Sequence, residues 1–475
     1  MPPHRRSYPH GTQGCTSPNI VPVRRPSPYW SRFVPAQDYS VMKPDSIART
    51  SHLERLPPEL IRAILSQLSG LAALRCAILS CPLFLNSFTG SSSAIATRVF
   101  LNELDLCDVR PEAVAALLAS RFAKPTRSSA HEFYKAHLQK RNLEVYIRLT
   151  LNEVAELSRL HSAVSRLAKD FADASLQELV ATMKDGHTSQ LQSQPLELSR
   201  LERHRIMRTL YILEIFFIVF RQTSMLDEEC GQCMNDFLLN FAPWEIEQIA
   251  CVQDFLSIQV SPIFNEMAEH DVYWGALLVE PARGFGDARL QSFYFKGLVS
   301  LESIMKAETY DRQHELLDAW RSPYAPPRNL YRALKDFSYE ACDEHASVSN
   351  YESSRDYALK VQRPYFEDPD DGPFRVWKWA HESVSLGRSM YQEGQAKLRQ
   401  WGYVMWDRAR VDTLPIFRGM WQPPLYNPFR RFLPGEPVRK VYQRRLLSWQ
   451  LRSLIYREQG SGWWDFSDES KIVWG

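Results

Sequence analysis

The sequence predicts a mainly α-helical protein, and three observations carry that prediction. Long stretches of the chain place apolar residues at the three-to-four spacing of one helix face. No run alternates apolar and polar residues for long enough to build a sheet. The first segment that looks ordered, "LERLPPELIRAILSQLSGLAAL" from Leu53 to Leu74, opens on two prolines and one two-faced helix.

Composition narrows the function classes. At 475 residues the chain has room for roughly two to four domains. Its 44% hydrophobic content is ordinary for a globular protein and allows a sizeable core. The 57 basic and 55 acidic residues nearly cancel, so charge gives no global argument for nucleic acid or a membrane surface. Eight cysteines (Cys15, Cys76, Cys81, Cys107, Cys230, Cys233, Cys251, Cys342) are too sparse for a disulfide framework. Reduced thiols in the cytoplasm, the nucleus or both are expected. "MPPHRRSYPHGTQG" has no apolar core of a secretory signal. It is rich in arginine and free of acids until Asp38, but its prolines oppose the amphipathic helix of a transit peptide. The longest apolar run, Leu210 to Phe220, contains Glu214 and falls short of the about 20 residues a bilayer needs. A buried helix is expected there, and no membrane association.

Four regions are expected along the chain. Residues 1–50 are rich in Pro, Ser and Arg and are expected to be disordered. A helical module over 51–95 is followed by a helical body over 96–370. A Trp-rich region over 371–475 packs on that body. "TGSSSA", Thr89 to Ala94, reads as a linker, and "KPTRSSA", Lys124 to Ala130, as a turn or short loop. From His131 the pattern is helical, with Val145, Leu149, Val154, Leu157, Leu160, Val164, Leu167 and Phe171 on one face. Gly186 to Pro195 is a loop. Helices are predicted near Leu196–Phe220, Asp227–Phe241, Pro243–Ile258, Ala288–Ala307, Arg312–Trp320, Asn329–Glu344 and Val438–Glu458. "RPYFEDPDDGPF", Arg363 to Phe374, is an acidic loop broken by proline. No internal repeat is visible.

Within the opening stretch, Pro57 and Pro58 suit a first turn whose donors have no partner in any case. Glu59 adds negative charge where the helix dipole favours it. Leu60, Ile61, Ile64, Leu65 and Leu68 fall on one face, with Arg62, Ser66 and Gln67 opposite. Ser69-Gly70 ends the helix. A second segment carries Leu71, Leu74, Ile78 and Leu79, and Pro82 breaks it. By pattern alone this is a helical hairpin, packed on the body or offered to a partner groove.

"LERLPPELIRAILSQLSGLAALRCAILSC" resembles an F-box. Leu56, Pro57, Glu59, Leu60, Ile64, Leu65 and Leu68 match its first part, and Leu74 its second. "LSCPLFLNSF", Leu79 to Phe88, resembles the ending found in F-box-like proteins of filamentous fungi. "LRQWGYVMWDRARVD" and "GWWDFSDESKIVWG" resemble tails of uncharacterised proteins of that kind. The turn holds Ser69-Gly70-Leu71 where the motif has an acidic residue, and Phe84 or Phe88 stands for its late tryptophan. The resemblance implies a three-helix module docking on the adaptor subunit of a cullin-RING ubiquitin ligase. Leu56, Pro57, Leu60, Ile61, Ile64, Leu65, Leu68 and Leu74 would form the contact.

Other constellations are incomplete. Cys230 and Cys233 have metal-ligand spacing, but a zinc site takes four ligands and no second close pair appears, so buried thiols are expected. The Cys342–His345 group reads as an exposed helix end. His314-Glu315 lacks the second histidine of a zinc protease, with Asp318 in its place. Gly284-Phe285-Gly286 has neither a third glycine nor a preceding strand and reads as a turn. No P-loop or serine elbow is present. In the tail, Arg430, Arg431, Arg439, Lys440, Arg444, Arg445, Arg452 and Arg457 surround Tyr442, Trp449 and Tyr456. Nucleic-acid binding is weighed against an amphipathic helix burying Leu447, Leu451, Leu454 and Ile455 with its arginines solvated. The second is favoured because the chain as a whole is not basic.

The expected protein is therefore a non-enzymatic, mainly α receptor with no cofactor and no metal, joining an unknown target protein to a ligase adaptor. The alternative is a helical scaffold whose F-box-like hairpin belongs to the core and binds no adaptor. A third reading, an enzyme with a site on the tail, needs a deep pocket with converging titratable groups.

Overall fold

Pro57 enters the first helix with extended backbone (φ −55°, ψ 143°), and Pro58 takes the first helical position. The computed structural model describes residues 52–475, less 123, 140–146, 186–196, 222–224, 283, 319–328, 338–346, 362–365, 383–390 and 422–437. The expectations for residues 1–50, Val145, the Gly186–Pro195 loop, Cys342–His345, Arg430 and Arg431 lie outside the described residues. Within them the chain is mainly helical, as predicted, and the sheet found there is a two-stranded hairpin.

Helices α1 (Pro58–Ser66) and α2 (Leu71–Ser80) both pack on α3 (Pro82–Thr89), and all three pack on α4 (Ser92–Leu106). The predicted linker at Thr89–Ala94 is not one. Only Gly90 and Ser91 part α3 from α4, because Ile95, Val99 and Phe100 bury a helical stripe that begins there. α5 (Arg110–Ser120) follows, lined with buried alanines that let it lie close to a later helix. Lys124–Ala130 is also more ordered than predicted. Thr126 caps α6 (Arg127–Phe133), its hydroxyl accepting from the Ser129 amide at 3.3 Å while the Ser129 hydroxyl accepts from the Thr126 amide at 3.0 Å. A π turn, Tyr134–Leu138, continues it.

The long helix α7 (Leu151–Asp185) starts at a box that the apolar spacing alone did not reveal. The Thr150 amide donates to Glu153 (2.8 Å), and the Glu153 amide donates to the Thr150 hydroxyl (3.3 Å). Its buried face holds Val154, Leu157, Leu160, Val164, Leu167 and Phe171, as the spacing predicted. α8 (Arg200–Arg221) lies in the core, buried on every side from Ile206 to Phe217. α9 (Asp227–Leu238) precedes α10 (Pro243–His270), which runs past its predicted end at Ile258. Pro262 deprives the Ile258 carbonyl of its helical donor, but both residues are exposed, so the loss falls on the solvent side of the helix. The Ser257 and Ser261 hydroxyls donate to the carbonyls of Gln253 (2.9 Å) and Ser257 (2.5 Å) on the buried side.

After α11 (Val272–Ala276), the single helix predicted over Ala288–Ala307 is two, α12 (Ala288–Tyr294) and α13 (Leu298–Met305). Gly297 separates them in the left-handed region at φ 91°. Then come α14 (Tyr310–Asp318) and α15 (Leu330–Asp336), the latter capped by the Asn329 side chain on the Arg332 amide at 2.8 Å. α15 ends where Phe337 turns extended (φ −63°, ψ 118°) and buries its ring; the rest of the helix predicted to Glu344 lies outside the described residues. The last helices are α16 (Ser354–Val361), α17 (Gly372–His381), α18 (Ala396–Gln400), α19 (Arg408–Thr413) and α20 (Val438–Arg457). Strands β1 (Gly460–Gly462) and β2 (Ile472–Trp474) pair antiparallel, Ser461 facing Val473.

Most of the tail tryptophans are core. Trp377, Trp401 and Trp406 join the same apolar cluster as α7, α8 and α10, with Trp377 5.8 Å from Trp244. Val272, Trp464 and Ile472 form a smaller one, with Leu451 and Ile455 packed on it. Helix α20 follows its predicted orientation only in part: Leu451 and Ile455 pack inward and Arg444 and Arg457 are exposed, as expected. Leu447 and Leu454 face solvent, whereas Ser448, Trp449 and Arg452 are buried. Arg452 stays inside because two backbone carbonyls receive it, as described below.

Candidate functional site

The eight residues picked out by the F-box resemblance are divided between the core and the surface. Their apolar arc on α1 spans somewhat more than a third of a turn, too wide to be covered from one side. Ile61 and Leu65 occupy its inner edge and are fully buried, together with Leu74 from α2. Leu56 and Leu68 are half-buried against the same core. Leu60 and Ile64, one turn apart on the outer edge, are 51% and 45% exposed, and Pro57 beside them is exposed. The structure thus brings Pro57, Leu60 and Ile64 together at the surface and assigns Ile61, Leu65 and Leu74 to packing.

The turn between α1 and α2 is held by α4. Asn102 donates its amide to the carbonyls of Ser66 (2.9 Å) and Leu68 (3.0 Å), groups left without donors at the end of α1. The Glu103 carboxylate accepts from the Leu71 amide at 3.0 Å, at the start of α2. The acidic group at this turn thus comes from 32 positions further along the chain. Gly70 gives it room, since a Cβ there would lie 3.1 Å from the carboxylate oxygen. No local signal in the sequence could have identified Asn102 or Glu103.

Two buried ionic networks fasten the tail to the body. Arg205 of α8 makes a two-pronged contact with Asp368 (2.5 and 2.9 Å) and also donates to Asp407 (2.5 Å) and the Met405 carbonyl (3.1 Å). Asp368 and Asp370 of the predicted acidic loop thus face one buried arginine; Arg363–Tyr365 lie outside the described residues, and Gly372–Phe374 open α17 instead of continuing the loop. Beside Arg205, Arg410 pairs with both oxygens of Glu202 at 2.7 Å. Burial pushes the Glu202 carboxyl up, but Arg410 and the Ser199 amide outweigh it and hold it below its ordinary value.

The second network is entirely enclosed. Arg399 donates to Asp254 (2.6 Å) and to the Gln392 carbonyl (2.9 Å). Glu247 accepts from the Tyr391 amide (2.6 Å) and the Tyr403 hydroxyl (3.1 Å), and Asp254 from the Tyr391 hydroxyl (3.0 Å). Burial opposes the Arg399 charge, but Asp254 and Glu247 more than compensate and keep it protonated. Every polar group here has protein partners and none is open to a substrate, so the cluster is a fastening for α10.

Cys230 and Cys233 are buried on α9, and the Tyr134 hydroxyl lies 3.5 Å from the Cys233 sulfur. Burial raises the Cys233 and Cys251 thiols, disfavouring the thiolate that metal binding and nucleophilic attack require. Among the described residues no three His, Cys, Asp or Glu side chains form a metal-binding group. Gly284–Gly286 is a turn, closed by the Asp287 amide on the Gly284 carbonyl at 3.0 Å. No described helix is long and apolar enough to cross a membrane. Comparison with protein-family models, curated proteins and solved structures gives no match to this chain.

Proposed function

We propose that this chain is an F-box-type substrate receptor, in which α1–α3 dock on the adaptor subunit of a cullin-RING ubiquitin ligase and the helical body holds a target protein. The exposure of Leu60 and Ile64 beside Pro57 is the observation that carries this reading. Two large aliphatic side chains one turn apart, on a helix whose other edge is buried, form the anchor pattern of helix-in-groove recognition. The receptor performs no chemistry and needs no cofactor; it raises the local concentration of the target. It would act in the cytoplasm, the nucleus or both.

One observation favours the alternative, a non-catalytic scaffold. Ile61, Leu65, Leu74 and Ile78 belong to the same apolar cluster as the body, and Asn102 and Glu103 tie the hairpin to α4. Affinity purification with mass spectrometry separates the two. Wild-type protein should recover the adaptor, and a Leu60→Asp/Ile64→Asp variant with an unchanged circular dichroism spectrum should lose it. Absence of the adaptor from native wild-type purifications would leave the scaffold reading standing.

A further inference from the structure

Helix α20 buries a cation, Arg452, that forms no ion pair among the described residues. Arg452 is 1% exposed, and its Nη1 donates to the carbonyls of Ala268 (3.0 Å) and Asp271 (2.9 Å) at the end of α10. The negative end of the α10 dipole suits a cation there. Its Nε has no acceptor and lies against Gly275, where a Cβ would sit 2.5 Å away. Among the described residues, neither Arg452 nor its neighbours Arg444 and Arg445 forms an ion pair. Burial lowers the Arg452 pKa to about 10, against the opposing pull of Asp271 and Glu269. Facing it, Trp464 is 2% exposed and its indole N–H also lacks an acceptor.

These groups share one cleft of about 390 Å³, between the end of α10, α20 and the loop that joins β1 to β2. Arg444, Arg445, Arg452 and Ser448 line it from α20 and Trp464 and Phe466 from the loop, with the Arg444 guanidinium 5.6 Å from the centre of the Phe466 ring. Asp465, at the edge, already accepts from the Ser467 amide (3.0 Å) and hydroxyl (2.7 Å), and Glu269 is exposed. Desolvated charges and donors without protein partners are costly, and they are satisfied by water, an ion or a ligand where one can reach them. Guanidinium groups match oxyanions in planar, two-pronged geometry. A phosphate monoester brings three acceptor oxygens and close to two charges, against two oxygens and one charge for a carboxylate, and so fits three guanidiniums better. The volume falls in the range of small-molecule sites, about 300–1,000 Å³, and leaves room for an organic group on the Trp464 and Phe466 side.

We propose that this cleft binds a small organic phosphate, with its phosphate on Arg444, Arg445 and Arg452 and its organic part against Trp464 and Phe466. The test is calorimetric titration of the full chain with phenyl phosphate, a nucleoside monophosphate, inorganic phosphate, benzoate and phenol, at matched ionic strength in chloride. Saturable binding of an organic phosphate is expected, tighter than inorganic phosphate or benzoate, with none for phenol. Arg444→Ala and Arg445→Ala should each weaken it roughly tenfold or more without changing the melting temperature. Arg445→Lys should recover only part, because the fork is lost. No saturable binding of either organic phosphate, benzoate binding as tightly as phenyl phosphate, or unchanged affinity in both alanine variants would overturn the assignment.

Discussion

The Glu214 carboxylate accepts a hydrogen bond from the Leu298 amide at 2.7 Å, joining positions 84 residues apart. This explains an acid inside the apolar run Leu210–Phe220. Glu214 closes the N-terminus of α13, whose N-cap Gly297 has no side chain to do so. The glycine is required twice over, because its φ is 91° and a Cβ would lie 2.7 Å from the Glu214 Oε1. Gly297→Ala should therefore destabilise the protein by about 2 kcal/mol. Glu214→Leu leaves the Leu298 N–H buried without a partner and should cost about 1–3 kcal/mol, with Glu214→Gln milder because an acceptor remains. Urea unfolding of the three variants checks the order, and a Glu214→Leu variant as stable as wild type would refute the capping role.

The division of the α1 arc makes a sharp prediction about stability. Leu65→Ala and Ile61→Ala each empty a fully buried site and should cost about 2–5 kcal/mol. Leu60→Ala and Ile64→Ala remove half-exposed side chains and should fall within about 1 kcal/mol of wild type. Thermal melts of the four single variants would show two well-separated pairs, and equal losses at all four positions would mean that the outer edge is packed as well.

Glu103→Ala removes the acceptor at the start of α2 and should cost about 1 kcal/mol. Its local signature is faster amide exchange at Leu71. Exchange in α10, which shares no bond with Glu103, should stay unchanged. Uniform acceleration throughout would signal global destabilisation instead.

What was legible in the sequence was local. The stripe of Val154, Leu157, Leu160, Val164, Leu167 and Phe171 is buried as its spacing predicted, because one helix face needs only its own periodicity to declare itself. The apolar arc of α1 was equally visible. Which half of it would be covered was not, since that depends on α4, whose Asn102 and Glu103 lie more than thirty residues away. Helix α20 shows the limit most clearly. Pattern favoured buried leucines and solvated arginines, but Arg452 is received by carbonyls of Ala268 and Asp271 and by the space over Gly275. Those partners belong to other helices, and no window of sequence around Arg452 contains them.

The Arg399 network should be far more sensitive to loss of its cation than to loss of the whole arrangement. Arg399→Met leaves Asp254 and Glu247 buried without a countercharge and should cost about 3–5 kcal/mol. Adding Asp254→Asn and Glu247→Gln to that variant removes both stranded charges and should restore part of the loss. Denaturant midpoints of the single and triple variants decide the matter; a triple variant weaker than the single would show that the hydrogen bonds, not the charges, dominate.

His161 makes stability depend on pH with a defined sign. Its ring is buried between α7 and α8, with Nδ1 2.9 Å from the Tyr211 hydroxyl and Phe100 edge-on at 6.1 Å. Burial lowers its pKa to about 4, from an ordinary 6.5. Between those values the unfolded chain binds a proton that the folded chain refuses. The contribution is therefore complete above pH 6.5 and is lost progressively as pH falls toward 4, by about 3 kcal/mol in all. His381, whose pKa burial also lowers, adds a slope of the same sign. His161→Gln retains a hydrogen-bonding group beside Tyr211 but does not titrate. Unfolding free energies measured across that range should fall less steeply for the variant than for wild type, with the remainder attributable in part to His381. Identical slopes would show that His161 is already protonated in the folded protein and that burial does not exclude its charge.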